Sequence, residues 1–388
     1  MTALRGRVLV VDDTEANRDL LARRLKAMGL EVLAAANGNE ALARLAAGDV
    51  DLMLLDIMMP ELDGFGVLER LRSDPALNHV PVIMISAVDE IESVARAIEL
   101  GATDYLPKPF HPVVLRARVA ATLEKKRLED HQRLRTREME RELEIGRRIQ
   151  TDFLPESLPK PRGWEIAAAF RPARQVSGDF YDAFPVGDGR IALVLADVCD
   201  KGVGAALFMA LFRSLLRSLA ELHAGGTTAG PAARSIVAIT NDYIARTHGR
   251  SNMFATVFLA LLDPATGKLA WVNGGHEPPI LRRRSGALER LPPTGPAVGA
   301  LPNMEYTPRD LRLESGDLLL AFTDGVTEER SPAGTFYGED RLLAVVSAGY
   351  ASSAALLARI EAEVDAHRAG AERTDDLTML AVMREGSA

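Results

Sequence analysis

Ser177-Gly178-Asp179-Phe180-Tyr181-Asp182 is the stretch that decides the fold of the C-terminal half, because three later acids stand where they can join Asp179. Arg190 to Ala196 is a β-reading run that ends at Asp197, Asp317 to Thr323 leads to Asp324, and Asp375-Asp376 opens Leu377 to Val382. Acids at strand ends project into one rim, as in a metal site. Crowded carboxylates repel one another, whereas hard divalent cations make their convergence favourable. Monodentate aspartates leave room for water on each ion, which is how Mg²⁺ or Mn²⁺ is held for work on phosphates. Two ions about 3.5 to 4 Å apart bridge one water and clamp a phosphoryl group. The pattern predicts phosphoester hydrolysis without a covalent enzyme intermediate.

Strands and helices around that stretch predict the architecture. Glu165 to Phe170 reads as a strand, and Asp179 to Val186 with Arg190 to Asp197 as a hairpin around Gly187-Asp188-Gly189. Ala205 to Leu222 and Ser235 to Arg246 read as helices, Phe254 to Asp263 with Lys268 to Asn273 as a second hairpin, and Leu318 to Thr323 as a central strand. Ala354 to His367 is a late helix before a closing strand, Thr378 to Val382. Hairpins with helices segregated beside them predict an α+β domain of two antiparallel sheets flanked by helices. Blander readings stand beside the metal site. Asp324-Gly325 also fits a simple turn. Asp182, Asp200 and Asp376 fit structural or supporting roles better than ligation. His276 in Asn273-Gly274-Gly275-His276 binds metal or orients its loop, and with no other histidine nearby in sequence the loop role is favoured. Cys199 lacks the arginine a thiol phosphatase needs, since Ala205 occupies that place.

The N-terminal third alternates differently. Arg7 to Val11, Glu31 to Ala35, Asp51 to Leu55, Val80 to Ser86 and Asp104 to Leu106 read as strands. Between them lie helical patterns over Thr14 to Met28, Gly38 to Ala47, Gly64 to Arg72 and Glu90 to Leu100. Continuous apolar strands separated by amphipathic helices predict an α/β domain with a buried, doubly wound five-stranded parallel sheet, whose ligands bind at the strands' carboxyl ends. Asp12, Asp13, Asp56, Ser86 and Lys108 all fall there. Asp12, Asp13 and Asp56 suit a hard cation, and Lys108 and Ser86 suit the oxygens of a phosphoryl group carried by Asp56. Helix capping by Asp12 or Asp13 is the bland alternative.

From Pro112 the last helix of this domain runs on. Residues 118–150 contain no proline and one glycine, Gly146, with Glu129/Arg133 and Glu144/Arg148 one turn apart. Val119, Leu123, Leu128, Leu134, Met139, Leu143 and Ile149 form a broken apolar seam, which predicts a parallel coiled coil joining two chains rather than a solvated spacer. Pro155, Pro159 and Pro161 end it. The domains so delimited are 1–122, a helical linker over 123–159, and 160–385. A length of 388 residues fits two domains, and 47% hydrophobic residues suffice for their cores. One cysteine fits a reducing cytoplasm, and a net charge of -8 argues against nucleic acid as a partner. No apolar run reads as long enough to cross a membrane, and no signal peptide is visible.

Residues 1 to about 122 resemble a response-regulator receiver domain of the CheY-like kind, through VVDD at 10–13, LLDIMMPELDG at 54–64, Ser86-Ala87 and DYLPKPF at 104–110. The resemblance implies that Asp56 accepts a phosphoryl group from a sensor histidine kinase. It also implies that Asp12, Asp13, Asp56 and the Met58 carbonyl form the Mg²⁺ site, that Ser86 and Tyr105 form a switch pair with Lys108 on the phosphate, and that Lys108-Pro109 is cis. Residues from about 160 to 385 resemble a metal-dependent serine/threonine phosphatase of the PPM family (protein phosphatase type 2C), in its SpoIIE-like branch. SGDFYD at 177–182, LADVCDKGVGAA at 195–206, NGGHEPP at 273–279, FTDGVTE at 322–328 and TDDLTML at 374–380 carry it.

By that resemblance two Mn²⁺ or Mg²⁺ ions are held by Asp179, Asp197, the Val198 carbonyl, Asp324 and Asp375, and Arg174 contacts phosphate. The implied substrate is a phosphorylated anti-sigma-factor antagonist. Cys199-Asp200 stands where Ser-Gly is commoner, and Gly274 and Glu277 where Ala and Asn are usual. Glu142 to Pro159 resembles the signalling helix that precedes such phosphatases, so phosphorylation of Asp56 is expected to rotate or tighten a helix shared by a homodimer. A non-catalytic, phosphorylation-controlled scaffold is the alternative. A nucleotide cyclase leaves the DG and DD motifs unexplained.

Overall fold

The computed structural model describes residues 4–87, 91–223, 225 and 228–386. The chain divides into two compact units, Met1–Met139 and Glu140–Ala388.

In the first unit, strands β1 (Arg7–Val11), β2 (Glu31–Ala35), β3 (Leu52–Asp56), β4 (Val82–Ala87) and β5 (Asp104–Lys108) alternate with helices α1 (Glu15–Ala27), α2 (Gly38–Ala46), α3 (Gly64–Ser73) and α4 (Ile91–Glu99). Glu90, the expected start of α4, lies outside the described residues. The strands pair in parallel in the order β2-β1-β3-β4-β5. Both faces of the central strands are apolar because both are covered. Leu9, Val11, Met53 and Leu55 pack toward α3, while Val8, Val10, Leu52 and Leu54 pack toward Leu21 and Leu25 of α1. Side-chain caps set two helix starts: Asn37 accepts from the Glu40 N–H and Asp63 from the Gly66 N–H.

Helix α5 runs from Pro112 to Phe153 without interruption. Its first turns belong to the first unit's core, where Leu115, Val119 and Leu123 pack on the sheet. Val119 and Leu123 are therefore not part of an exposed seam, because the face that buries them is the one that completes the parallel-sheet layer. Leu128, Leu134, Met139 and Ile149 are exposed, as is Ile145, and Leu143 is half-buried. The expected Glu144–Arg148 pair forms at 3.7 Å, whereas Glu129 faces back to Lys125 at 3.9 Å instead of forward to Arg133.

The second unit is a four-layer stack. One antiparallel sheet orders β13 (Arg309–Arg312), β10 (Lys268–Gly274), β9 (Ala255–Leu262), β8 (Arg190–Val198) and β7 (Phe180–Val186). The other orders β12 (Leu288–Arg290), β11 (Ile280–Arg282), β14 (Leu318–Phe322), β15 (Leu377–Arg384) and β6 (Trp164–Arg171), also antiparallel. Between them Leu193, Leu195, Phe258 and Trp271 meet Leu319, Ala321, Leu380 and Val382. Helices α6 (Val203–His223) and α7 (Ala229–His248) cover the first sheet through Met209, Phe212, Leu216 and Ile236. Helices α8 (Glu339–Ser347) and α9 (Ser353–Arg368) cover the second through Leu342, Val346, Leu356 and Ile360. Strands β11, β12 and β13 were too short to show alternation in the sequence.

One sequence expectation needs correction here. Helix α6 is, by length and composition, long and apolar enough to cross a membrane. In this fold its stripe of Ala205, Met209, Phe212, Leu216 and Ala220 is buried against the sheet, and Arg213 and Arg217 on the same helix pair with Asp182 of β7.

Candidate metal centres

Parallel pairing aligns the carboxyl ends of β1, β3 and β5 along one edge of the first unit. Oxygens of Asp12 and Asp13, just past β1, and of Asp56, the last residue of β3, lie within 4.8 Å of one another. They are the one group of three or more such ligand residues found that close among the described residues. The Lys108 ammonium sits 2.8 Å from Asp56 Oδ1 and 3.0 Å from Asp12 Oδ2. Burial pushes the Asp56 carboxyl up, Lys108 pulls it back, and Asp12 and Asp13 push it further up. At Lys108 burial works against the charge, but the bonds to Asp56 and Asp12 outweigh it and raise its pKa.

Such a cluster of acids around one ammonium suits a hard cation and, with it, an added phosphoryl group. Ser86, next on β4, is buried, and among the described residues its Oγ has no hydrogen-bond partner. Met58 turns its side chain to solvent, and Tyr105 is half-buried with the Arg118 guanidinium 5.0 Å from its ring centre. The Lys108-Pro109 bond is cis. Asp12 also has a local role, accepting from Thr14 N–H at 2.9 Å and from Asn17, while Thr14 itself precedes α1.

In the second unit the acid rim is built by a network of loop hydrogen bonds. Asp376 accepts from the Ala173 N–H (2.7 Å), the Ser177 hydroxyl (2.6 Å) and the Gly178 N–H (3.1 Å), which folds the Ser177-Gly178-Asp179 turn onto the start of β15. The Ser177 hydroxyl accepts from the Asp179 N–H at 3.0 Å. Oδ2 of Asp179 is held by two threonine hydroxyls, Thr323 at 2.8 Å and Thr378 at 2.5 Å. Asp179 and Asp197, near the end of β8, are close enough to act on each other electrostatically. Asp324 opens the short turn after β14, where a Cβ on Gly325 would meet the Asp376 carbonyl at 2.0 Å, so only glycine fits. A Cβ on Gly178 would likewise meet the Val198 carbonyl at 2.8 Å.

The electrostatics of the rim follow from that crowding. Burial pushes Asp197 up to about 7, with Asp324 adding to the effect. Burial lifts Asp324 to about 6, helped by Asp375, Glu328 and Glu277. Asp179 is raised well above the carboxylate range by burial, then by Asp197 and Asp376. Asp375 is more exposed, and its Oδ2 accepts from the Lys201 ammonium at 2.7 Å. An all-oxygen donor set whose charges oppose one another fits hard divalent cations.

The remaining sequence candidates separate cleanly. Asp182 is 1% exposed and faces α6, where Arg213 lies at 2.8 Å and Arg217 at 3.2 Å, away from the other acids. His276 is buried with Nδ1 2.8 Å from the Thr256 hydroxyl, and burial pushes it down to about 3, so it is neutral. Its backbone N–H goes to Asn273, which holds the loop. Arg174 is exposed and, among the described residues, makes no hydrogen bond or ion pair. The Cys199 thiol is raised by burial and takes the Phe254 N–H at 3.2 Å, so it clamps a loop.

Comparison with known proteins now bears on both units. A family model described as Stage II sporulation protein E (SpoIIE) matches residues 187–385, just over half of the chain. The chain belongs to the SpoIIE family. A model for the response regulator receiver domain matches residues 8–120. The chain thus carries a receiver domain followed by a SpoIIE domain of the PPM phosphatase type.

Protein IcfG of Synechocystis sp. is 44% identical over 262 residues, which are 63% of this chain and 41% of IcfG. Response regulator PleD of Caulobacter vibrioides is 46% identical over 114 residues, 29% of this chain and 25% of PleD. The chain spans less than half the length of either relative. Among solved structures, the SiaA-PP2C domain of Pseudomonas aeruginosa aligns over 63% of this chain and 97% of that one, with a TM-score of 0.53 and 19% identity, a likeness of fold alone.

Several residues of the second unit escaped the sequence reading. Thr323 and Thr378 lie inside motifs noticed for their acids, one residue before Asp324 and two after Asp376. Fully buried Glu329 takes Arg373 at 3.2 Å and the Thr374 N–H at 3.3 Å, steadying the loop that leads to Asp375. Gln150, near the end of α5, bonds to Ser177. Nothing local in the sequence marks these partners, because each is paired across more than 25 residues.

Proposed function

We propose that the chain is a two-component response regulator in which a receiver (1–122) acts through a helical linker (123–159) on a metal-dependent protein serine/threonine phosphatase (160–385). The observation that carries this reading is the acid rim of the SpoIIE domain, where buried Asp179 and half-buried Asp197 and Asp324 crowd together and are raised in pKa. Asp179, Asp197, the Val198 carbonyl, Asp324 and Asp375 would hold two Mn²⁺ or Mg²⁺ ions. Bound there, such ions supply Lewis acidity and offset phosphoryl charge. The chain's own part is positional: Thr323 and Thr378 fix one oxygen of Asp179, and Asp376 holds the turn that presents it. Arg174, exposed and without a partner among the described residues, is the cation offered to the substrate's phosphate.

At the receiver, Asp56 accepts the phosphoryl group from a histidine kinase, Asp12, Asp13 and the Met58 carbonyl join it on Mg²⁺, and Lys108 and Ser86 take phosphoryl oxygens, with Tyr105 as the switch partner. Support comes from the carboxylates' mutual approach, the Lys108 contacts and the Ser86 hydroxyl, which has no partner among the described residues. Phosphorylation acts on a linker helix that pairs two chains through Leu128, Leu134 and Met139. Moving such an element from mostly off to mostly on takes about 5.5 kcal/mol of differential stabilisation. The substrate class carried over from the resemblance is a phosphorylated anti-sigma-factor antagonist in the cytoplasm.

The Lys201–Asp375 ion pair favours a second reading, a scaffold whose aspartates are structural. Hydrolysis of an aryl phosphate with and without Mn²⁺, beside Asp197→Ala and Asp324→Ala, separates the two. The phosphatase reading predicts Mn²⁺-dependent turnover lost in both variants. A silent wild type that keeps binding a phosphoprotein would leave the scaffold.

A further inference from the structure

One side chain ties helix α5 to the metal loop of the SpoIIE domain. Gln150 stands three residues before the end of α5 and is 7% exposed, although Arg147, Arg148 and Ile149 beside it are exposed. Its carboxamide makes two opposed hydrogen bonds to one residue. Nε2 donates to the Ser177 carbonyl at 2.6 Å, and Oε1 accepts from the Ser177 N–H at 2.9 Å. This is the exchange that a neighbouring strand makes with a peptide, performed by a side chain. Gly146, one turn earlier, lies against the adjoining residue, since a Cβ there would come within 3.6 Å of Val176 Cγ1.

Ser177 passes the constraint inward. Its hydroxyl donates to Asp376 at 2.6 Å and accepts from the Asp179 N–H at 3.0 Å. Four hydrogen bonds in all, each between buried residues, thus link α5 through Ser177 to the Asp376 carboxylate and the Asp179 backbone.

We infer that Gln150 is a positioning residue that sets Ser177, and through it Asp179 and Asp376, so that the metal affinity of the SpoIIE domain depends on this carboxamide clamp. The inference rests on the metal-site reading above. Without the carboxamide, the Ser177 N–H and C=O would be buried and unpaired, and the turn they anchor would loosen. Partners that orient metal ligands from behind change affinity by about 10- to 100-fold when removed.

The test uses the full chain. Gln150→Met keeps length and helix preference but removes both pairing groups, and Gln132→Met, on an exposed turn of α5, is the control. Mn²⁺ affinity is measured by calorimetry at a temperature well below melting. Gln150→Met is expected to bind Mn²⁺ about tenfold more weakly or worse, and the control like wild type. Unchanged affinity in a folded Gln150→Met protein would overturn the inference, whatever its melting temperature. Amide exchange in wild-type protein under chelator gives a second reading that needs no variant: Ser177 is expected to exchange slowly, and exchange at the rate of an open loop would overturn the clamp. If wild type binds no Mn²⁺ at all, the metal-site reading fails, while the Ser177 exchange rate still decides the clamp.

Discussion

Lowering the pH from about 7.5 to about 5.5 is expected to weaken Mn²⁺ binding to the SpoIIE domain by about 100-fold, or about 2.7 kcal/mol. The size follows from two carboxyls, Asp197 raised to about 7 and Asp324 raised to about 6, in each case by burial first and neighbouring acids second. Both must lose their protons to serve a cation. Proton competition at the lower pH costs about 30-fold at Asp197 and about fourfold at Asp324, against about 1.4-fold for both together at the higher pH.

The sign for folding runs the other way. A carboxyl raised in the native state keeps a proton that the unfolded chain has lost, so metal-free protein loses stability as pH rises from about 4 through about 7. Added Mn²⁺ should therefore raise the melting temperature more at the higher pH. Calorimetry in two buffers of different ionisation heat reads both the affinity and the protons released, expected as between one and two per site at the lower pH and well under one at the higher. Equal affinities at the two pH values, with no proton release, would refute the reasoning.

Asp182→Asn should cost about 3 kcal/mol in urea unfolding, because Arg213 would stay nearly buried without its counter-charge, and should leave Mn²⁺ affinity unchanged. Lost Mn²⁺ binding in a folded Asp182→Asn protein would instead make Asp182 a ligand. Asp200 has φ of 72°, in the left-handed region that favours glycine. Asp200→Gly is expected to raise stability by about 1 kcal/mol, unless the bond from the Lys201 N–H to its carboxylate outweighs the strain, which a lower urea midpoint would reveal.

What the sequence disclosed and what it hid divide along physical lines. Local pattern gave the parallel sheet, since Arg7 to Val11 and Leu52 to Asp56 can be buried on both faces only between helix layers. It gave the hairpin of β7 and β8 through Gly187-Asp188-Gly189, and it put every rim acid at the end of a strand. It misassigned Val119 and Leu123, because helical spacing marks an apolar face without saying what covers it. The length and composition of α6 were underrated for a similar reason. Partnerships set by tertiary structure stayed invisible: Gln150 with Ser177, Glu329 with Arg373, and the threonines around Asp179 are ordinary residues until the chain brings them together.

Receiver control of a metal-dependent hydrolysis is the central claim. The most direct test is the rate at which the full chain hydrolyses an aryl phosphate in Mn²⁺, before and after addition of beryllofluoride, in wild type and in Asp56→Ala. The account predicts Mn²⁺-dependent turnover in both proteins, with a change of rate on adding beryllofluoride in wild type alone. No turnover under any condition, or the same response to beryllofluoride in Asp56→Ala, would contradict it.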